Sequence, residues 1–219
     1  MTQTVHRAVF RAQCKAGQET ATIDQFNATT AALQQAVAAG TLLTISLFRW
    51  GVHFFIYWES VAQPIAPTAL FGEMTDLLEA WPGEAAPRTF VPMLDIFHCQ
   101  APVDLAHWQR KQPIERLQGR LTRLKPEMAS SYIFYHYQLQ EEKPGSFDKY
   151  CLISMQENLL FFYQEVPAVV EALPRPGKLT TTNTPDHWHD VMFPHFILWD
   201  DAPPDQTIWR EIEVIFHLV

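Results

Sequence analysis

Strict alternation opens the chain. Over residues 5–14, Val5, Arg7, Val9 and Arg11 share one face while Ala8, Phe10 and Ala12 share the other, which predicts a strand ended by Gly17. The period then lengthens. Over 22–39, Phe26, Leu33 and Val37 form an apolar stripe, with Thr22 and Asp24 as N-cap candidates and Gly40 as the stop, so a helix is expected. Segments 42–49 and 52–60 are rich in β-branched and aromatic residues and meet at Trp50-Gly51, the pattern of a tight hairpin. Residues 68–81 carry Leu70, Met74, Leu77, Leu78 and Trp81 and predict a helix ended by Pro82-Gly83. Residues 88–99 read as a strand, with Pro92 marking an edge or bulge.

The order β-α-β-β-α-β is the split βαβ, or ferredoxin-like, arrangement. The second half supplies a partner for it. Residues 103–124 predict a helix through Trp108, Ile114, Leu117, Leu121 and Leu124, with Pro126 beyond it. Strands are expected at 131–141, 149–156, 159–166 and 207–218, with a short helical turn at 185–193. Short words repeat in order: Ile45-Ser46-Leu47 as Ile153-Ser154-Met155, Tyr57-Trp58-Glu59 as Tyr163-Gln164-Glu165, and Ile96-Phe97-His98 as Ile215-Phe216-His217. The last pair is the most widely spaced, which places an insertion in the stretch from Pro174 to Pro185. The expected fold is therefore α+β, two ferredoxin-like repeats at 1–100 and 101–219 packed as a pseudo-dimeric α+β barrel. In this reading the second repeat has an extra strand at 131–141 and no first strand of its own.

Composition narrows the functional classes. The 219 residues carry 16 basic and 24 acidic side chains, a net charge of −8, which disfavours a phosphate-backbone binder. The one basic cluster, Arg110 to Lys125, puts Arg116, Arg120 and Arg123 on one side of the expected helix. Three cysteines, Cys14, Cys99 and Cys151, form no CxxC pair, and their odd number argues against a disulfide framework. No apolar run reaches bilayer length and the N-terminus has no apolar signal core, so a cytoplasmic protein without membrane or nucleic-acid partners is expected. No glycine-rich phosphate loop, nucleophile elbow or HExxH motif is present, and no cofactor is called for.

Both halves resemble the L-rhamnose mutarotase family, dimeric α+β barrel enzymes. In the first half the likeness lies in the hairpin 43–60, in Met74-Thr75-Asp76 and in Asp95-Ile96-Phe97-His98. In the second it lies in Trp108-Gln109-Arg110-Lys111-Gln112-Pro113-Ile114, Asn158-Leu159-Leu160-Phe161 and Glu211-Ile212-Glu213-Val214-Ile215-Phe216. The resemblance implies interconversion of sugar anomers by acid–base catalysis. It implies a histidine on the first helix, a tyrosine one turn earlier, a tyrosine on the second strand and a tryptophan pair on the second helix. Carried over, the first-helix tyrosine falls on Trp108, the second-strand tyrosine on Tyr132 and the tryptophan pair on Trp188. The histidine position falls on Lys111 or Gln112, and in the first half these positions fall near Phe26 and Thr30, so no histidine is retained there.

His187-Trp188-His189-Asp190, with His195 nearby, is the densest set of titratable side chains. Its HxH spacing suits a metal on a strand but lacks the further glutamate and glycines of a cupin motif, and no metal site is assigned. Tyr132 and His136 share a face, which suits acid–base work near neutral pH or a plain solvated edge. The candidate set is thus His187, His189 and Lys111 for proton transfer, with Trp108, Tyr132 and Trp188 for a small ligand such as a monosaccharide. The chain is expected as a monomer with an internal pseudo-dimer, or as a homodimer. Two rival functions stay open: a non-catalytic ligand-binding or regulatory protein, and a cofactor-independent monooxygenase-like or haem-handling relative.

Overall fold

The computed structural model describes residues 3–173 and 176–219. Pro174 and Arg175, where the expected insertion begins, lie outside the described residues. The chain runs β1 (Val5–Gln13), α1 (Glu19–Ala28), α2 (Thr30–Ala38), β2 (Leu42–Trp50), β3 (His53–Val61), α3 (Pro67–Phe71), β4 (Phe90–Pro92), β5 (Leu94–His98), α4 (Leu105–Trp108), β6 (Arg116–Leu124), α5 (Ala129–Glu142), β7 (Leu152–Gln156), β8 (Leu159–Val166), α6 (Trp188–Met192), β9 (Phe196–Ile197), β10 (Arg210–Glu211) and β11 (Glu213–Leu218). It divides into two compact units. The first holds the residues up to Met93, Pro102–Pro113 and Glu213–Val219; the second holds Leu94–Ala101 and Ile114–Ile212.

Local chemistry sets several boundaries. The expected helix 22–39 is two helices, because Thr29 and Thr30 hydroxyls donate to the Phe26 and Asn27 carbonyls at 2.7 Å and compete with the helical ladder. Gly40, at φ 73°, ends α2: the Thr41 N–H reaches the Ala36 carbonyl at 2.9 Å, a glycine-dependent helix stop. The helix expected over 68–81 is only α3. Gly72 and Met74 both have left-handed φ values, which end it after one turn.

Two elements are exchanged relative to expectation. Leu117, Leu121 and Leu124 have helical spacing, yet residues 116–124 are the strand β6. It pairs with β8 along one edge and with β9 and β10 along the other, and side chains on both of its faces are buried, so alternation disappears. Residues 131–141 look β-rich but lie in the helix α5. Its buried Tyr132, His136 and Leu139, at i, i+4 and i+7, trace one helical face. Of the helix expected over 103–124, only the single turn α4 is helical. The second unit therefore has its own first strand, and 131–141 is its first helix rather than an extra strand.

The first sheet has the order β11-β2-β3-β1-β4, and the second has the order β10-β6-β8-β7-β5, with β9 pairing on β6. Tyr57 faces Val9 as Tyr163 faces Gly119. β4 then runs on into β5, which belongs to the second sheet, and β10 runs on into β11, which belongs to the first. At the switch, the Met93 N–H donates to the Val9 carbonyl at 2.9 Å and the Ile212 N–H to the Gly119 carbonyl at 3.0 Å. β5 and β11 both slip register by one residue, at Ile96 and at Ile215.

Each unit has its own core. In the first, Phe26, Leu33, Ile45, Phe54, Ile56 and Phe71 pack between helices and sheet; in the second, Phe97, Leu124, Tyr132, Ile153, Leu160 and Phe196 do so. Each such side chain contributes on the order of 1.5–3 kcal/mol on burial. Among the described residues no helix is long and apolar enough to cross a membrane.

Candidate functional site

The core of the second unit is incomplete. A cavity of about 280 Å³ opens between α5, α6 and the sheet. Tyr132 and His136 reach it from α5, Trp188, His189 and Met192 from α6, Arg120, Ile153 and Phe162 from the strands, and Phe196, Ile208 and Trp209 from the C-terminal segment. Pockets for organic ligands run about 300–1,000 Å³, so this one, at the small end, has room for a single ring and not for a porphyrin.

His136 is the chemical centre of the wall. Its ring is buried and packs against Tyr132 at a centroid distance of 4.0 Å, against the edge of Trp188 at 5.0 Å and against Phe97 at 5.4 Å. Its Nδ1 lies 2.9 Å from the Tyr132 carbonyl one helical turn back. A carbonyl only accepts, so Nδ1 carries the proton and Nε2 is left with a lone pair. Burial drives the histidine pKa down to about 4, with the Tyr132 carbonyl acting against the shift and His195 adding to it. At neutral pH the ring is uncharged, with Nε2 presented as a hydrogen-bond acceptor. Burial pushes the Tyr132 hydroxyl far above the ordinary tyrosine range, so it stays protonated and offers a hydrogen-bond donor.

α6 is short, and a strap fixes it. Both Glu142 carboxylate oxygens are occupied: Oε1 accepts from the Thr181 hydroxyl at 2.6 Å and the Asn183 N–H at 3.0 Å, and Oε2 accepts from the Thr184 N–H at 2.7 Å and its hydroxyl at 2.5 Å. Desolvation opposes ionisation of Glu142, but these bonds outweigh it and hold the pKa down to about 2. Glu141 accepts from the Lys178 N–H at 2.9 Å. The end of α5 thus ties down the segment that leads into Trp188 and His189. His195 sits beside the site, with Nε2 2.8 Å from the Ser131 hydroxyl and Nδ1 3.2 Å from the Met192 carbonyl.

The core of the first unit is packed with rings. Phe26 on α1 meets Phe71 on α3 edge-on at 5.1 Å, and Phe54 and Phe90 complete the packing. Its polar residues cluster elsewhere. Glu59, fully buried on β3, accepts two bonds from the Arg110 guanidinium, one at 2.9 Å, and a short one from the Tyr57 hydroxyl. Burial alone would raise the Glu59 pKa; the Arg110 charge and the surrounding hydrogen bonds bring it below the ordinary value. Trp108 is buried beside this pair, with the Arg7 guanidinium 5.2 Å from its ring centroid. Tyr163 and Glu165 repeat the tyrosine–carboxylate bond in the second unit, at 2.8 Å.

Of the six sequence candidates, Tyr132, Trp188 and His189 come together at the cavity. His187 caps α6 and is exposed, outside the lining. Trp108 and Lys111 belong to the first unit, where Trp108 is a core residue and Lys111 is exposed. His136, Arg120 and Trp209 complete the lining and were not in the candidate set. The signal for His136 was present: Tyr132, His136 and Leu139 have the spacing of one helical face, hidden by a β-forming composition. Among the described residues no group of three histidine, cysteine or carboxylate side chains is placed to hold a metal.

No family model matches the sequence, and no curated protein matches it. Among solved structures, a "putative monooxygenase" of Fusobacterium nucleatum aligns over 99% of this chain and 94% of its own, at 7% identity and a TM-score of 0.42. A likeness at that level carries no argument about chemistry.

Proposed function

We propose that the second unit binds a small carbohydrate and interconverts its anomers by acid–base catalysis. One observation carries this reading. Tyr132 and His136 stand one turn apart on the first helix of the unit, with Trp188 on the helix that follows β8, all at one cavity. That is the placement which the resemblance to L-rhamnose mutarotase gives to its tyrosine, histidine and tryptophan. It moves the histidine role from the region of Lys111 to His136 and the first-helix tyrosine role from Trp108 to Tyr132, the residue expected from sequence as the second-strand tyrosine.

In this reading His136 Nε2 takes the proton of the anomeric hydroxyl while His189 delivers one to the ring oxygen, and the Tyr132 hydroxyl hydrogen-bonds the sugar. The bond from the anomeric carbon to the ring oxygen breaks and the open aldehyde forms. Rotation about the adjacent carbon–carbon bond and reversal of the two transfers close the other anomer. Trp188 and Trp209 supply faces for the apolar side of the sugar, and Arg120 supplies a donor for its hydroxyls. The shared strand order and the paired switches at Met93 and Ile212 support two diverged copies, residues 1–100 and 101–219, with the working cavity kept in the second. That reading extends to a pseudo-dimeric barrel.

A second reading has one observation in its favour. Among the described residues of the lining, apolar and aromatic side chains predominate, with Arg120, Tyr132, His136 and His189 as the polar ones besides the two indole N–H groups. A flat aromatic molecule with one ionisable group also suits such a wall, whether it is merely bound or oxidised.

The test is saturation-transfer NMR with a panel of free aldoses, including L-rhamnose, alongside simple phenols, with anomer exchange read on the same samples. Accelerated exchange of an aldose supports the mutarotase reading. Saturation of phenols alone, with no aldose bound, overturns it in favour of the aromatic ligand.

A further inference from the structure

Cys99 and Cys151 are separated in sequence but meet in the second unit. Cys99 directly follows β5 and Cys151 directly precedes β7, and the antiparallel register that pairs His98 with Leu152 carries on to them. The Cys99 N–H donates to the Cys151 carbonyl at 3.4 Å, the two sulfurs lie 2.9 Å apart, and both side chains are buried. Opposed residues of an antiparallel pair have Cα atoms about 4.5–5.5 Å apart, inside the roughly 4.4–6.8 Å that a disulfide spans. Closing a bond here needs a side-chain rotation and no shift of the strands. Cys14 lies in the first unit and has no part in the pair.

We infer that Cys99 and Cys151 form a dithiol oxidation site, which closes to an intramolecular disulfide when the protein meets hydrogen peroxide. Cys151 reacts first. It is among the residues that line a depression with Phe97, His136, Phe147, Gln164 and Trp188, from which a small oxidant approaches, whereas Cys99 is not. The Cys151 thiolate attacks one peroxide oxygen, the O–O bond breaks, and the departing hydroxide takes up the thiol proton as water. The sulfenic acid left on Cys151 is then attacked by the Cys99 sulfur. The S–S bond forms, the S–O bond breaks, and a second water leaves with the Cys99 proton. Two thiols lose two electrons, and one peroxide gains them. The inference needs no ligand in the neighbouring cavity and stands whether or not the carbohydrate reading does.

The experiment treats the full chain with a modest excess of hydrogen peroxide, removes the excess with catalase, and counts thiols after unfolding in guanidinium. Three titratable thiols should fall to one, a cross-linked peptide joining Cys99 to Cys151 should appear by mass spectrometry, and dithiothreitol should restore all three. The Cys14→Ser variant should still lose two thiols, and the Cys99→Ser variant should accumulate a sulfenic acid that dimedone traps. Circular dichroism on the oxidised protein establishes that the fold persists. Retention of all three thiols, over-oxidation without a cross-link, linkage through Cys14, or a cross-link formed only after unfolding would each overturn the assignment.

Discussion

His136 gives the sharpest quantitative prediction, because its burial sets both its chemistry and a stability cost. In the unfolded chain it takes a proton near the ordinary value of 6.5; in the fold it resists until about 4. Between those values the unfolded state binds more protons than the native state, so stability falls as pH drops through this window and is fully recovered above about 6.5. At about 1.4 kcal/mol per pH unit, the difference amounts to roughly 3 kcal/mol between pH 7 and pH 4. His53 and His217 are also held near 4 by burial, so the total slope of the wild type is not diagnostic. The difference between wild type and His136→Gln is. Urea unfolding at a series of pH values should show wild type losing about 3 kcal/mol relative to the variant from pH 7 to pH 4. Carbon-13 NMR of the histidine ring should place the His136 titration near 4. A His136 signal titrating near 6.5, with parallel stability curves, would refute the inference of a buried neutral base.

Other consequences follow from the same contacts. Arg110→Ala leaves the Glu59 carboxylate buried without its cation and should cost about 3–5 kcal/mol at pH 7, lowering Tm by roughly 6–20 °C in a calorimetric scan. The Glu59 pKa is depressed in the wild type, so the pair's contribution is present above the unfolded carboxylate value and fades as pH falls below it. The Arg110→Ala defect should accordingly shrink as the pH is lowered and Glu59 takes up a proton, and a defect independent of pH would count against the pairing. Glu142→Gln should speed amide exchange at Asn183 and Thr184, whose N–H groups it now holds, and should weaken ligand binding without changing the far-ultraviolet spectrum. Trp188→Ala should reduce carbohydrate affinity about tenfold or more by titration calorimetry, while the protein stays folded.

The sequence disclosed the hairpins well, because Leu42–Trp50 with His53–Val61 and Leu152–Gln156 with Leu159–Val166 carry unbroken β-forming runs around short turns. It misled where burial erased the expected period. β6 is covered on both faces, so its leucines fell by chance at helical spacing. α5 is composed of strand formers, and packing of Tyr132, His136 and Leu139 overrides that preference. Tyr132 and His136 lie four apart, which is one face in either element, so their association survived the error while their place in the fold did not. The switch residues Met93 and Ile212 could not be read, since whether a strand continues with one sheet or passes to another is decided by long-range pairing. Arg110 was read as part of a basic helix face, and its bond to buried Glu59 depends on the turn after α4 rather than on sequence spacing.

The central claim is that proton transfer at the cavity runs through His136. The most direct measurement is two-dimensional exchange NMR of an aldose bound by the wild type, repeated with His136→Gln and Lys111→Ala. The account predicts acceleration by the wild type and by Lys111→Ala, and a loss of about 10²–10⁴-fold in His136→Gln. Undiminished exchange in His136→Gln, or exchange abolished by Lys111→Ala, would contradict it.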